Sequence, residues 1–471
     1  MVEFILNNTE ITTSSAPGIV LLDYIRYERN LKGTKIGCRE GDCGACTILI
    51  GELKNGELKY KSATSCLTAM GNIHNKHIVT VEGTNFDYEP NPIQQAMCDQ
   101  AGTQCGFCTP GFIVSMAGYC LSDNQPNQKN AIAAVDGNIC RCTGYKSIER
   151  ALDKVTELIQ DKTGDPVEYV TSQNILPSYF TGIKERLQSL VSQTNDQTNK
   201  QNTGQASFLG GGTDLYVQQL DKMVYADIDF LTHKQQLKGI TKQGYKCIVG
   251  GSATVTDLIT SPVILEYFPK IAEVGKLISS TPIRNIATLA GNFVNGSPIG
   301  DFSIFFLALG AVLTLSDGEN TREVSLENFY KGYKSLDKQA NEFVSSFWFT
   351  LPDKNTQFAF EKVSKRTHLD IASVNSAMTL TMNGNSIINA RISAGGVFAF
   401  PLYLAKTSDF LIGKELTEDL ITQATQLLQT EIAPISDARG TTEYKRLLLS
   451  QLIKAHFIKL FPALEIDKLL V

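Results

Sequence analysis

Eight of the chain's 11 cysteines form two sets of four before residue 143. The first set has the spacing C-x4-C-x2-C with a more distant fourth member, and the second has C-x2-C followed by C-x-C. The residues are Cys38, Cys43, Cys46 and Cys66 in the first set, and Cys105, Cys108, Cys140 and Cys142 in the second. An odd total with C-x2-C pairs is typical of thiolate metal ligation, not of a disulfide framework. The first third of the chain is therefore expected to fold around two metal centres.

The first cysteine set has the spacing of plant-type ferredoxins, which predicts a [2Fe–2S] cluster. A tight loop can present three thiolates to one cluster only if its backbone bends sharply, and Gly37, Gly41 and Gly44 supply that freedom. The alternative is a structural zinc site. Zinc favours paired C-x2-C knuckles, so the x4 gap favours the iron–sulfur interpretation.

The second cysteine set is less specific by its spacing alone. Cys108 is followed by Thr109-Pro110, which is a typical helix start, and helix N-termini favour the thiolate form of a nearby cysteine. C-x2-C with C-x-C is compatible with zinc as well as with a second [2Fe–2S] cluster. On the residues alone both remain open.

The length of 471 residues suggests about three domains. Periodicity predicts strands at 2–6, 11–13, 47–50 and 78–81, and helices at 21–28, 92–100, 110–121, 131–135, 147–160 and 177–190. Residues 166–206 are interpreted as a connector, with a polar run at 192–204 predicted to be a solvated loop. The apolar stretch 302–315 is too short for a membrane span and predicts a buried helix followed by a strand.

Charge and composition exclude some classes of partner. The net charge of −5, with acidic and basic residues mixed, gives no basic field for nucleic acid. No signal peptide or membrane span is recognised, so we expect a soluble, cytoplasmic protein without nucleic-acid or membrane partners.

A glycine turn follows a short apolar strand at Phe208-Leu-Gly-Gly-Gly-Thr-Asp-Leu215. Backbone N–H groups around such a turn can face a pyrophosphate, although a plain tight turn is the alternative. It is not the G-x-G-x-x-G fingerprint, so a Rossmann fold is not predicted.

The longest diagnostic strings resemble one family. Gln104-Cys-Gly-Phe-Cys-Thr-Pro-Gly111 and Gly137-Asn-Ile-Cys-Arg-Cys-Thr-Gly-Tyr145, placed after a plant-type ferredoxin segment, resemble the iron–sulfur portion of the molybdenum hydroxylases, the superfamily of xanthine dehydrogenase, aldehyde oxidase and carbon monoxide dehydrogenase. The glycine turn, residues 281–301, residues 360–374, Ala394-Gly-Gly-Val397 and residues 434–446 resemble the flavin part of the same family. The order of the domains is most similar to that of the small subunit of bacterial xanthine dehydrogenase.

The resemblance implies a multidomain α+β chain. The implied domains are a plant-type [2Fe–2S] ferredoxin β-grasp domain at 1–83, an all-helical [2Fe–2S] domain at 84–165, a connector at 166–206, a vanillyl-alcohol-oxidase-type FAD-binding α+β domain at 207–352, and an α+β C-terminal domain like that of the CO dehydrogenase flavoprotein at 353–471.

The resemblance also implies the cofactor contacts. Both cysteine sets are expected to bind [2Fe–2S] clusters. The expected FAD contacts are Phe208, Leu209, Gly210, Gly211, Gly212, Thr213, Asp214, Leu215, Thr288, Asn292, Asp301 and Lys362. For Lys362, a surface cation without a flavin role is the alternative.

The implied function is electron transfer within an oxidoreductase. Electrons would pass from a molybdenum–pterin centre through the helical-domain cluster, the plant-type cluster and FAD to NAD+. No domain for molybdopterin is recognised here, so a separate large subunit, in a heterotetramer of two small and two large chains, is expected to hydroxylate xanthine. No catalytic residue is expected on this chain. The alternatives are the same role in an aldehyde or N-heterocycle hydroxylase, or a zinc-binding interaction protein.

Overall fold

The structure is a computed structural model that describes residues 1–194 and 207–469. The chain forms two compact units, one containing Met1–His233 with Ser280–Ala287 and the other containing Lys234–Ser279 with Thr288–Val471. Within the described residues, no helix combines the length and the apolar character that a bilayer span requires. Part of the polar run predicted as a loop, residues 195–204, lies outside the described residues.

The first unit begins with a five-stranded sheet whose strands lie in the order Thr9–Thr13, Val2–Leu6, His77–Val79, Thr47–Lys54 and Glu57–Thr64. Val2–Leu6 is parallel to His77–Val79, and the other pairs are antiparallel. The predicted helix at 21–28 is a short α-helix, Leu21–Asp23, that continues as a π-helix, Tyr24–Glu28. Leu21, Leu22, Tyr24 and Ile25 are all buried, so this segment packs on the sheet as its apolar pattern predicts.

The strand Glu57–Thr64 was not predicted from the sequence. It pairs residue by residue with Thr47–Lys54 across a two-residue turn at Asn55-Gly56. Both turn residues have positive φ, 51° and 81°. An Asn-Gly pair is the preferred type I′ hairpin turn, so the signal was present in the sequence.

The next part of the first unit is helical. Its helices are Pro92–Asp99, Thr109–Cys120, Gln128–Ala134, Lys146–Leu158, Pro166–Ser172 and Ile183–Thr194. The first four confirm the predicted helices to within a few residues. Pro166–Ser172 was not predicted; it begins where the Asp165 side chain accepts hydrogen bonds from the N–H groups of Val167 and Glu168. The predicted helix at 177–190 is a 3₁₀ turn, Ser178–Gly182, followed by Ile183–Thr194.

The first unit ends with two short pieces. One is a parallel pair of strands, Ser207–Leu209 and Ile228–Phe230, with the short helices Leu215–Gln218 and Leu220–Tyr225 between them. The other is the helix Thr281–Arg284, which returns to this unit from later in the chain.

The second unit contains two main antiparallel sheets. The strand order of the first is Thr321–Ser325, Val312–Ser316, Phe343–Thr350, Lys246–Gly250, Ile240–Gln243, and that of the second is Thr356–Val363, Val374–Asn383, Ser386–Gly395, Leu402–Tyr403. A small hairpin joins Tyr330–Gly332 to Ser335–Leu336. The helices are Val255–Thr260, Pro262–Tyr267, Ile271–Lys276, Leu289–Asn295, Asp301–Ala308, Leu326–Phe329, Ala405–Leu411, Glu418–Leu428, Thr442–Leu460 and Ile466–Leu469.

The apolar run 302–315 confirms its prediction, because it forms the buried helix Asp301–Ala308 and then the strand Val312–Ser316. The described chain is a multidomain α+β protein, as the sequence predicted.

Candidate functional site

Three of the four members of the first cysteine set lie on the loop that leads into the strand Thr47–Lys54. These three are Cys38, Cys43 and Cys46. The fourth member, Cys66, directly follows the strand Glu57–Thr64, which pairs with Thr47–Lys54. The thiols associate in two pairs through hydrogen bonds, Cys38 with Cys43 and Cys46 with Cys66. Cys46 and Cys66 are almost fully buried.

The second cysteine set is paired in the same way. The sulfurs of Cys142 and Cys105 are 3.5 Å apart, and the thiols of Cys108 and Cys140 are hydrogen-bonded. Cys108 is the residue before the helix Thr109–Cys120, so its thiol stands at a helix N-terminus.

The pairwise arrangement fits a binuclear iron centre. Each iron of a [2Fe–2S] cluster takes two protein thiolates, and bridging sulfides occupy its other positions. Two thiolates on one tetrahedral metal lie about 3.8 Å apart for metal–sulfur bonds of about 2.3 Å, which is close to the separation of Cys105 and Cys142.

Backbone N–H groups of the loop around the first set donate hydrogen bonds to its sulfurs. The Glu40 N–H donates to Cys38 Sγ at 3.3 Å, and the Cys38 N–H donates to Cys43 Sγ at 3.4 Å. The hydrogen bond from the Cys43 thiol, together with backbone donors that include the Glu40 N–H, lowers the pKa of Cys38 to about 5 although burial opposes the shift, and the same pairing of thiols raises the pKa of Cys43. Backbone N–H donors to sulfur also influence the potential of an iron–sulfur centre.

The two cysteine loops are in direct contact. The Ile139 N–H donates to the Cys43 carbonyl at 3.0 Å, which joins a residue of the first set to the neighbour of Cys140. The buried amide of Asn138 donates to the Gly44 carbonyl at 3.1 Å and accepts from the Ser115 hydroxyl at 2.7 Å. Sequence reasoning missed Asn138, although the residue lies in one of the diagnostic strings, because its partner Gly44 is far away in the sequence.

The glycine turn at 210–212 also lies in the first unit. The Asn72 amide of the ferredoxin-like part donates to the Gly210 carbonyl at 2.9 Å. A Cβ at Gly211 would lie 1.9 Å from the Ile286 carbonyl oxygen, and Gly212 has a φ of 82°. The turn therefore requires glycine at these two positions, because the backbone at 286–287 fills the space beside Gly211 and Gly212 adopts a positive φ. Asn72 was not singled out from the sequence.

The remaining predicted contacts, Thr288, Asn292, Asp301 and Lys362, belong to the second unit. Thr288 caps the helix Leu289–Asn295 by accepting from the Gly291 N–H at 3.2 Å. The Asn292 side-chain carbonyl accepts from the Ser303 N–H and hydroxyl, both at 3.0 Å.

Asp301 and Lys362 form a buried ion pair. Lys362 Nζ lies 2.9 Å from Asp301 Oδ2, with side-chain exposures of 2% and 11%. Lys362 also donates to the Leu277 carbonyl at 2.8 Å, and the Asn375 amide donates to Asp301 Oδ1 at 2.6 Å. Burial raises the pKa of Asp301, although Lys362 and Asn375 counteract the shift. The alternative that Lys362 is a surface cation is therefore wrong.

Four family models match the chain in sequence order. They are a 2Fe-2S iron-sulfur cluster binding domain at residues 4–71, a [2Fe-2S] binding domain at 80–153, the FAD binding domain in molybdopterin dehydrogenase at 187–352, and the CO dehydrogenase flavoprotein C-terminal domain at 359–460.

Curated relatives and solved structures agree with these matches. The chain is 26% identical to xanthine dehydrogenase of Emericella nidulans, over 90% of this chain and 36% of the relative, and 26% identical to xanthine dehydrogenase/oxidase of Rattus norvegicus, over 94% and 38%. It is 27% identical to a chain of reconstituted CO dehydrogenase from Oligotropha carboxidovorans, with a TM-score of 0.50, over 53% of this chain and 87% of that chain. The chain therefore spans little more than a third of the length of the two curated relatives.

The fold and the sites define an electron-transfer chain with two [2Fe–2S]-binding domains and an FAD-binding domain. The four matches together span most of the chain, and with these relatives they support its assignment to the iron–sulfur and flavin part of the molybdenum hydroxylases.

Proposed function

We propose that this chain is the iron–sulfur and flavin subunit of a xanthine dehydrogenase-like enzyme, and that it carries electrons from a partner's molybdenum centre through two [2Fe–2S] clusters and FAD to NAD+. The observation that carries the proposal is the junction of the two cysteine loops. The hydrogen bond from the Ile139 N–H to the Cys43 carbonyl provides a short through-bond route between residues of the two sets.

When bound, the clusters supply one-electron transfer, and the flavin exchanges electrons singly with them and passes two on as a hydride. The chain's own residues hold these groups and fix their spacing. In this proposal the eight cysteines ligate iron, and Asn138 holds the two cysteine loops together through the Gly44 carbonyl.

The FAD contacts remain the ones that the resemblance implies. Residues 208–215 would bind the phosphates and the ribityl chain, and Thr288 and Asn292 would bind the pyrophosphate and adenosine side. The Asp301–Lys362 ion pair presents its ammonium group in a fixed position, which suits a contact to a polar edge of the flavin. We propose these roles residue by residue.

The exposed surroundings of the second cysteine set support the proposal that a partner protein binds at this surface. Cys105 and Cys142 are exposed, and the large apolar side chains Phe107, Ile139 and Tyr145 near them are 48%, 38% and 40% exposed. Exposed apolar side chains around a metal-ligand loop suit a protein interface. The proposed occupant is a large, molybdopterin-binding subunit, in a heterotetramer of two small and two large chains.

NAD+ is the proposed electron acceptor. In the second unit, a cavity of about 290 Å³ is lined by residues 362–367 with Leu277. Lys365 and Arg366 add positive charge to its wall, whereas the charge of Lys362 is balanced by Asp301. Such a concentration of positive charge suits the phosphates of a dinucleotide. A cytoplasmic location agrees with these substrates and remains part of the proposal.

The test is an assay of the complex purified through this chain. We expect xanthine-dependent formation of NADH, because the large subunit would oxidise xanthine and this chain would deliver the electrons to NAD+. Hypoxanthine should serve as well. Activity with an aldehyde or another N-heterocycle and none with xanthine would contradict the proposed substrate and support the alternative hydroxylase.

A further inference from the structure

Residues 280–287, which we call the strap, return to the first unit from later in the chain and contact three cofactor loops. The strap lies within the match to the FAD-binding domain model, yet it packs among the iron–sulfur residues. Its contacts are of three kinds: a polar anchor, an apolar cover and a backbone support.

The polar anchor is at the second cysteine set. Arg284, whose side chain is 5% exposed, pairs with Asp136 at 2.7 Å. Asp136 also accepts from the Thr281 N–H at 2.8 Å and from its hydroxyl at 2.9 Å. Asp136 lies four residues before Cys140, and the next residue, Gly137, packs closely against Pro282. The start of the strap is thus held on the loop that leads to the second set.

The apolar cover is at the first cysteine set. A Cβ at Gly41, between Cys38 and Cys43, would lie 2.5 Å from Ile283 Cδ1, so Ile283 fills the space above this loop. Ile283 packs against the apolar cluster that contains Cys46, Cys66, Leu67, Leu209 and Tyr216. Ile283 therefore packs over the first cysteine set on the side that faces the protein interior.

The backbone support is at the glycine turn. The Ile286 carbonyl and the Ala287 Cα occupy the space where a Gly211 side chain would be. A second link, from the Asn285 amide to the Ser62 carbonyl at 2.8 Å, ties the same part of the strap to the strand that precedes Cys66. The end of the strap is therefore in contact with the turn proposed to hold the FAD phosphates.

We propose that the strap is a positioning element that sets the spacing of the two cysteine loops and the glycine turn, and that Ile283 excludes water from the plant-type cluster. The inference rests on the proposed function. It assigns a role to residues that are not among the proposed cofactor contacts. Reduction adds one electron to an already anionic cluster, so water near the cluster stabilises its reduced form. The apolar cover accordingly makes the plant-type centre harder to reduce.

The first test replaces Ile283 with alanine in the full chain. We expect iron and FAD contents like those of the unaltered protein, and a reduction potential of the plant-type centre that shifts to more positive values while that of the second centre stays unchanged. Redox titration followed by electron paramagnetic resonance measures both centres in one sample. Hydrogen exchange of residues 38–46 should become at least about tenfold faster.

The matched control is Ile19→Ala, a partly buried residue that packs on the other apolar cluster of the same domain. It should shift neither potential. If Ile283→Ala does not fold, Ile283→Val should give a smaller shift in the same direction. Unchanged potential and exchange in Ile283→Ala would overturn the inference, whereas an unaltered protein that binds neither iron nor FAD would overturn the proposed function itself.

The second test removes the anchor with Asp136→Asn. Exchange of residues 280–287 should become at least about tenfold faster, because the buried guanidinium loses its counter-charge. Asp123→Asn, which weakens a surface ion pair with Lys59, is the control and should leave that exchange unchanged. Equal exchange in both variants would show that Asp136 does not hold the strap.

Discussion

Replacing Gly44 with alanine is expected to lower the iron content at both cysteine sets. Gly44 lies between Cys43 and Cys46 with a φ of 67°. A Cβ there would lie 2.2 Å from the Gly137 carbonyl oxygen and 2.6 Å from Asn138 Nδ2. The two loops would have to separate, which breaks the hydrogen bond from Ile139 to Cys43 and displaces ligands on both sides.

The expected loss of folding free energy in Gly44→Ala has two parts. The left-handed conformation costs about 1–2 kcal/mol for alanine. Crowding in a packed interior typically adds about 1–3 kcal/mol. Iron analysis per chain, together with the thermal midpoint of unfolding, measures the result.

Gly144→Ala is the matched control for Gly44→Ala. Gly144 lies two residues after Cys142 and has nearly the same φ, 66°, but a Cβ there would meet nothing within 4 Å. Only the conformational cost applies, so the iron content should stay close to that of the unaltered protein. Similar iron loss in both variants would contradict the account, because the contact between the loops would then have no measurable role.

Replacing Lys362 with methionine is expected to destabilise the second unit by about 3–5 kcal/mol. The reason is that Asp301 would keep its buried carboxylate without a counter-charge. Trp348 is the chain's only tryptophan and lies on a strand of the second unit, so its fluorescence reports the unfolding of that unit.

The pH dependence of this variant follows from Asp301. Burial already raises the pKa of this carboxyl above its ordinary value of 3.8, and loss of Lys362 removes a group that opposes the shift. The folded-state pKa of Asp301 then lies above its unfolded-state pKa. The contribution of this carboxyl to stability is therefore greatest at low pH and is lost as the pH rises from the unfolded-state pKa to the folded-state pKa. The penalty should therefore be smaller in mild acid than at neutral pH.

Two further variants isolate the cause. The double variant Lys362→Met with Asp301→Asn removes both charges and should recover most of the stability, yet should still bind FAD weakly if the pair contacts the flavin. Lys242→Met breaks an exposed pair with Glu266 and should leave the stability of the second unit nearly unchanged. If the double variant is as unstable as the single one, the buried charge on Asp301 is not the cause.

Short sequence strings predicted much of the chain, because they carry their own physical constraints. The C-x4-C-x2-C spacing and its glycines predicted a metal loop, and the apolar run 302–315 predicted a buried helix and strand. The strand Glu57–Thr64 was missed although its Asn55-Gly56 turn could have revealed it.

The contacts that organise the site could not be read in the same way. Asn138 with Gly44, Asn72 with Gly210, and Asp136 with Arg284 join residues that are far apart in the sequence. Each residue alone is compatible with many surface or core roles. Only the folded arrangement of the first unit brings each pair together.

The most direct test of two binuclear thiolate centres is metal and flavin analysis of the chain purified without oxygen, combined with electron paramagnetic resonance after reduction. The account predicts about four irons and one FAD per chain and two distinguishable iron–sulfur signals. Zinc in place of iron, or a colourless chain with neither iron nor flavin, would contradict it.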